Sequence, residues 1–237
     1  MKNKQAPNDY QQRQKLMITA SLIQSIIEKS ESKKYQKFLR DIKKETGKPD
    51  WDSRADSCGV AGNTFRAYGA YVAKRGKGEE GNRPSEIYRE WAEKQNKAIS
   101  KLSPESISSQ EDFDNWHQKL AKSLQNHWSK TEDGIQLSIA HKYKLVDLYI
   151  KWLTQHKLPE PELNDIFIQF AHCALDSQIL AKINDHLDGL LPIAKPSMGC
   201  IATENAYAFC QAVIRDYCNA VGGTPLLFDY YAWQRGG

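Results

Sequence analysis

The chain has 237 residues, of which 33 are Lys or Arg and 29 are Asp or Glu, and its hydrophobic content is 40%. This length suits one large domain or two small ones, and the composition is typical of a folded protein rather than a disordered chain. No stretch approaches 18 apolar residues and no apolar segment follows the charged start, so we expect neither a membrane span nor a secretory signal. The five Cys include no CxxC pair, which favours reduced thiols and a cytoplasmic location over a disulfide framework or a zinc ribbon.

Charge is distributed unevenly along the chain. Residues 1–101 hold 22 Lys and Arg against 13 Asp and Glu, a net charge of +9, whereas residues 102–237 have a net charge of −5. A basic half favours a polyanionic partner, because each neutralised phosphate releases counterions. A solvated Lys-rich helical face explains the same charge, so both interpretations stay open. We therefore divide the chain into a basic helical lobe, 1–101, and a second lobe, 102–237.

Apolar residues recur at helical spacing in both lobes, and no β alternation extends beyond a few residues. In the first lobe, helices are predicted over residues 16–30, 33–47, 64–75 and 85–99, with loops over 48–62 and 76–84. In the second, after a linker over 101–112, helices are predicted over 112–128, 138–155, 162–172, 174–187 and 204–221, followed by a short aromatic tail, 225–237. The sequence therefore predicts an all-α fold.

Two segments of the second lobe carry a resemblance to a known family. SIAHKYKLVDLYIKWL begins at Ser138, and HCALDSQIL begins at His172. Together they resemble the core of the helix-hairpin-helix DNA glycosylase superfamily, over about residues 112–190. In its lyase-type members, a Lys stands at the head of the helix that follows a hairpin, and an Asp caps the next helix. Lys144 and Asp176 match these positions, and their 32-residue separation is similar to that of the archaeal 8-oxoguanine branch.

The resemblance implies a two-lobed helical bundle that acts on double-stranded DNA as a glycosylase and AP lyase. Lys144 would be the nucleophile that forms a Schiff base at C1′ of the sugar, and Asp176 would stabilise the positive charge that develops there. The damaged or modified base would be flipped into a pocket. Neither a cofactor nor a metal is expected. Taken singly, Asp176 is an ordinary N-cap worth about 1 kcal/mol, and Lys144 is an ordinary solvated Lys.

DNA contacts are predicted in two regions. The family's hairpin has a G-x-G turn whose amides hold a phosphate, but residues 138–142 lack glycine and only Gly134 lies nearby. Side chains would have to replace those amides. Residues 63–75, NTFRAYGAYVAKR, also resemble the DNA-clasping helical domain of tyrosine recombinases, although the second lobe has too few Arg for a recombinase site. The predicted DNA-binding residues are His141, Lys142, Arg66, Lys74 and Arg75.

The base pocket is predicted from an aromatic tail and one loop. Phe228 and Trp233 are candidates for stacking on an extruded base, and His172 would line the pocket if the resemblance holds. The alternatives are that the aromatic tail packs on the last helix and that His172 is a packed loop residue. Asp147 and Lys151, four residues apart, are interpreted as an ordinary helix pair.

A second functional class stays open. The chain could be a non-catalytic helical factor that binds DNA or another protein, including a phage-defence factor that acts through partner proteins. Replacing Lys144 separates the two classes, because a nucleophile is needed for turnover whereas a phosphate contact changes only affinity.

Overall fold

A computed structural model describes residues 58–60, 84–131, 136–156, 158–186, 196–220 and 222–233. These segments contain α-helices and short 3-10 turns but no β-strand, which confirms the predicted all-α class. None of the helices within them is long and apolar enough to cross a membrane. The helices predicted before residue 76 lie outside the described residues, as do Arg66, Lys74 and Arg75.

Seven α-helices follow one another in the described segments. They are α1 (Pro84–Ile99), α2 (Gln110–Thr131), α3 (Ile139–Leu153), α4 (Glu162–Phe170), α5 (Ser177–His186), α6 (Glu204–Ala220) and α7 (Pro225–Trp233), with 3-10 turns at Pro104–Ser106 and Met198–Cys200. Six match predicted helices to within a few residues. The seventh corrects the prediction, because the aromatic segment after Gly223 forms a helix rather than a tail.

The central helix is α3, which packs against α2, α4 and α6. Its residues are buried on most of its circumference, and those that are almost inaccessible include Leu145, Val146, Tyr149 and Leu153. Ser138 caps its N-terminus by accepting a hydrogen bond from the backbone N–H of His141. A helix with so little exposed surface serves as a scaffold that fixes the side chains of its neighbours.

The short segment 58–60 is held against α3. Gly59 has a φ of +83°, and a Cβ there would lie 2.6 Å from the carbonyl oxygen of Leu148 and 2.6 Å from Cβ of Trp152. Tyr88 on α1 donates a hydrogen bond to the carbonyl oxygen of Cys58, at 2.7 Å. Only glycine allows this conformation and this close approach at position 59.

The loop between α4 and α5, residues 171–176, is buried along its whole length. A buried loop requires partners for its backbone polar groups. Gln211 on α6 supplies two of them, because its side chain accepts from the N–H of Cys173 at 3.0 Å and donates to the carbonyl of Cys173 at 2.7 Å. Asp229 on α7 accepts from the N–H of Ala174 at 2.7 Å. The last two helices therefore hold this loop in place.

Candidate functional site

The structure brings Lys144 and Asp176 together. Lys144 Nζ lies 3.5 Å from Asp176 Oδ2, and the two side chains are 12% and 7% exposed. Lys144 extends from α3 and Asp176 ends the buried loop 171–176, so tertiary packing rather than chain proximity forms the pair. An amine and a carboxylate that are paired and mostly withdrawn from water are a candidate functional site.

The local positions of the two residues agree only partly with the sequence-based expectation. Asp176 is the N-cap of α5, as predicted, and its Oδ1 accepts hydrogen bonds from the backbone N–H groups of Gln178 and Ile179 at 2.9 and 3.0 Å. Lys144, in contrast, does not head its helix. Because α3 begins at Ile139, Lys144 lies in the second turn.

A buried polar cluster includes two residues, Asp147 and His172, that are close in sequence to Lys144 and Asp176. His117 Nε2 is 2.7 Å from Asp147 Oδ1, and the Tyr207 hydroxyl lies 3.0 and 2.9 Å from the two oxygens of Asp147. His172 joins the cluster through Nδ1, 3.0 Å from the Tyr207 hydroxyl, and through Nε2, 2.9 Å from Asp114 Oδ1. Since α2, α3, α6 and the buried loop each contribute, the cluster links four parts of the fold.

Stacked aromatic rings fix the orientation of the side chains in the cluster. The rings of Tyr143 and Tyr207 stack with centroids 4.0 Å apart and planes 10° apart, and the His117 ring lies parallel to Tyr143 at 5.4 Å. His117 and His172 are in contact at 4.4 Å between centroids. Parallel stacking fixes the ring orientations on which the hydrogen bonds depend.

The Tyr207 hydroxyl has one proton to donate but two neighbouring acceptors, the Asp147 carboxylate and Nδ1 of His172. It can donate once, either to Asp147 or to Nδ1 of a neutral His172 whose Nε2–H donates to Asp114. One of these two contacts is therefore left without a proton.

The cluster opens into a pocket of about 260 Å³. Its walls combine Tyr143 and Tyr207 with polar side chains of several types, which include Asp114, Gln118, His172, Glu204, Gln211 and Arg215. This volume lies just below the usual range for small-molecule sites, about 300–1,000 Å³. The pocket is therefore small and lined mainly by polar side chains.

His172 and Asp114 meet at the pocket wall, and the pKa of each is lowered. Burial lowers the pKa of His172 below its ordinary value, and the charge of His117 lowers it further. Partial burial raises the pKa of Asp114, but hydrogen bonds from His172 and Gln110 outweigh this effect and hold the pKa below its ordinary value. At neutral pH the wall therefore presents a neutral imidazole beside a carboxylate.

His117, Asp147 and His172 also form a potential metal-ligand set. One ligand atom from each lies within 4.8 Å of the others, and two imidazoles with a carboxylate can bind zinc or ferrous iron. The atoms already bond to one another or to Tyr207 and Asp114, so a cation would have to displace these hydrogen bonds.

The predicted phosphate contacts on α3 are engaged within the protein. Lys142 Nζ lies 2.7 Å from Glu204 Oε1 and 4.6 Å from the centroid of the Tyr143 ring. His141 Nδ1 lies 3.0 Å from the Ser138 hydroxyl. A phosphate at this end of α3 would have to displace an existing partner from each side chain.

Of the two aromatic residues predicted for the base pocket, Phe228 lies elsewhere. Phe228 is buried and packs edge-on against Tyr217 of α6, with centroids 5.3 Å apart. It does not line the pocket and instead packs on the last long helix, which was the alternative interpretation. Trp233 ends α7, and its side chain lies outside the described residues. Of the three predicted pocket residues, His172 is the one placed in the pocket wall.

Sequence reasoning missed the acidic partners of the cluster. Asp147 was assigned to a helix pair with Lys151, and this was wrong: Asp147 bonds to His117 and Tyr207, whereas Lys151 Nζ donates to Asp229. One signal was present in the sequence. Asp147 lies between apolar residues, Leu145 and Val146 before it and Tyr149 and Ile150 after it. A carboxylate in such a run requires buried partners.

The low pKa of His172 predicts how stability depends on pH. The folded protein binds the proton at His172 more weakly than the unfolded chain, so the free energy of unfolding should fall as pH decreases below about 6.5. The Asp114 carboxylate titrates at lower pH and does not contribute in this range. Urea denaturation at pH 7.5 and 5.5 should show a smaller pH effect for His172→Asn than for the wild type. An unchanged pH effect in the variant would contradict the assignment.

No protein-family model, curated protein or solved structure matches the chain.

Proposed function

We propose that the protein is a DNA glycosylase with associated AP lyase activity, in which Lys144 is the nucleophile and Asp176 the electrostatic stabiliser. The observation that carries the proposal is the contact between these two side chains, 3.5 Å apart and largely withdrawn from solvent. Two residues 32 positions apart have no local reason to meet.

The chemistry of the pair fits base removal. As the bond between C1′ and the base nitrogen breaks, the base leaves with the electron pair and positive charge develops on the sugar, where the Asp176 carboxylate stabilises it. Lys144 must release a proton before it attacks, and the departing base, which leaves with the electron pair, can accept it. The neutral Lys144 amine then forms a bond to C1′ and loses a second proton, while the C1′–O4′ bond breaks and O4′ takes up a proton. Opening of the sugar ring in this way gives the Schiff base from which strand cleavage proceeds by elimination.

The pocket beside the His117–Asp147 cluster is the proposed base-binding site. Tyr143, which forms one of its walls, directly precedes Lys144 in α3, and His172 lies in the same buried loop as Asp176. Tyr143 and Tyr207 stack on each other, so a flipped base would be recognised by the polar side chains of the pocket lining. The partner is accordingly double-stranded DNA, and the base to be removed is one with an N–H group toward the Asp114 carboxylate.

Borohydride trapping tests this function. Duplexes that contain 8-oxoguanine, uracil, an abasic site or a modified cytosine are incubated with the protein under reducing conditions, and a covalent adduct is resolved by gel electrophoresis. The wild type should form an adduct with at least one duplex. Lys144→Arg should form none, because it keeps the positive charge beside Asp176 but has no amine that forms a stable Schiff base.

Lys142→Gln is the matched control, since it removes a second amine from the same helix two residues away. This variant should retain the adduct. An adduct that persists in Lys144→Arg would exclude Lys144 as the nucleophile. If the wild type binds duplex DNA but forms no adduct on any substrate, the alternative of a non-catalytic DNA-binding factor is favoured.

A further inference from the structure

A basic groove of about 550 Å³ runs between α1 and α2. It is defined by the side chains of Lys94, Gln95, Lys119, Lys122, Asn126 and Lys130, with Trp91, Ser123 and His127 completing its lining. All four lysines are exposed, and none of the described residues that line the groove is a carboxylate. The groove is distinct from the pocket beside the His117–Asp147 cluster, and the described linings of the two share no residue.

The lysines follow the helix geometry. On α2, residues 119, 122, 126 and 130 are three or four positions apart, so they form one stripe along the helix. Lys94 faces this stripe from α1 across the groove. At 1.5 Å per residue, the stripe from Lys119 to Lys130 extends about 16 Å. This length corresponds to about five phosphates of one DNA strand at 3.4 Å each.

The groove lysines differ from the lysines of α3. Lys142, Lys144 and Lys151 are each paired with a carboxylate. Within the segments that the structure describes, no ion pair joins a groove lysine to an acid. The pKa of His127, which also lines the groove, is lowered below its ordinary value. Burial lowers it most and the charge of Lys94 lowers it further, although the charge of Glu90 raises it. Four clustered ammonium groups repel one another unless an anion lies between them.

We propose that the basic groove binds the phosphate backbone of duplex DNA, an inference that rests on the proposed DNA glycosylase function. The shape of the lining favours a duplex over a single strand. Single-strand sites provide exposed aromatic rings on which bases stack, whereas the Trp91 ring of the groove is only 1% exposed. The lining also presents no exposed apolar side chain that would enter a membrane interface. Duplex phosphates require only positive charge and hydrogen-bond donors. The groove lysines supply the charge, and the side-chain amides of Gln95 and Asn126 supply further donors.

The salt dependence of DNA binding tests the proposal. Fluorescence anisotropy with an undamaged 30-base-pair duplex is measured between about 50 and 200 mM salt, where each phosphate contact contributes about 0.9 to the slope of log K against log salt concentration. Lys119→Gln/Lys122→Gln should reduce the slope by about 1.8. The control Lys97→Gln/Lys101→Gln removes the same charge from exposed positions outside the groove and should change the slope much less.

The possible outcomes separate this proposal from the proposed function. Equal loss in both double variants, or no loss in either, would overturn the groove as the DNA site. Binding of the wild type to phosphatidylserine vesicles but not to duplex, with loss in Lys119→Gln/Lys122→Gln, would assign the groove to a membrane surface instead. Borohydride trapping at low salt and saturating DNA should still succeed with Lys119→Gln/Lys122→Gln, since Lys144 is intact. An adduct with an unchanged salt slope would refute only the groove.

Discussion

Replacing Asp176 with asparagine is expected to reduce base excision about 100- to 1,000-fold while leaving the fold intact. Asparagine caps a helix about as well as aspartate, so the hydrogen bonds to the N–H groups of Gln178 and Ile179 should persist. The substitution removes the charge that is proposed to stabilise the sugar, and with it the ion pair to Lys144; loss of one such electrostatic group has about this effect on rate. Single-turnover excision on the duplex identified by trapping measures it, with thermal unfolding as the stability check.

Asp176→Ala provides the comparison, because it removes the cap as well as the charge. It should lose activity to the same extent and be about 1 kcal/mol less stable than Asp176→Asn, since both variants lose the ion pair to Lys144 and only the alanine variant loses the cap. If Asp176→Asn excised the base at the wild-type rate, Asp176 would be a helix cap without a catalytic role. The pair of variants therefore separates the two interpretations that the sequence left open for this residue.

Replacing Asp229 with alanine is expected to lower the free energy of unfolding by about 3–5 kcal/mol, the usual consequence of removing one partner of a buried ion pair. Asp229 is completely buried. One of its oxygens accepts from Lys151 Nζ, and the other accepts from the N–H of Ala174. Its removal leaves both donors without this partner. Urea denaturation of the two proteins gives the difference.

A double variant tests whether the lost ion pair explains the effect. Lys151→Met/Asp229→Ala eliminates the ammonium together with its partner, so the remaining loss should be that of one unpaired N–H, about 1–3 kcal/mol. Equal losses in the single and double variants would show that Lys151 is unimportant to the stability of this site. Asp229→Ala should also reduce base excision, because the loop that Asp229 holds leads directly into Asp176.

Most of the secondary structure was predictable from local information. The helical spacing of apolar residues identified α1 through α6, and Asp176 was recognised as a cap from its position before a helical run. These features depend on a few neighbouring residues, whose periodicity and capping preferences act within one or two turns. The segment 225–233 was misjudged because its aromatic residues show no clear amphipathic pattern, and its packing against α4, α5 and α6 makes it a helix.

The candidate site was predictable only in part. The identities of Lys144, Asp176 and His172 came from the sequence, whereas the partners of the buried cluster did not. Asp147 lies close to Lys151 in the sequence, but its hydrogen bonds go to His117 and Tyr207, 30 and 60 residues away.

By itself, the sequence determined that the described segments are helical, where most of their helices begin and end, and which residues could carry chemistry. The tertiary structure alone decided that Lys144 meets Asp176, that Asp147 is buried among His117 and Tyr207, and that the groove lysines cluster. The physical reason is the range of the interactions. Helix propensity and capping act over a few residues, whereas ion pairs and buried hydrogen bonds depend on how distant helices pack against one another.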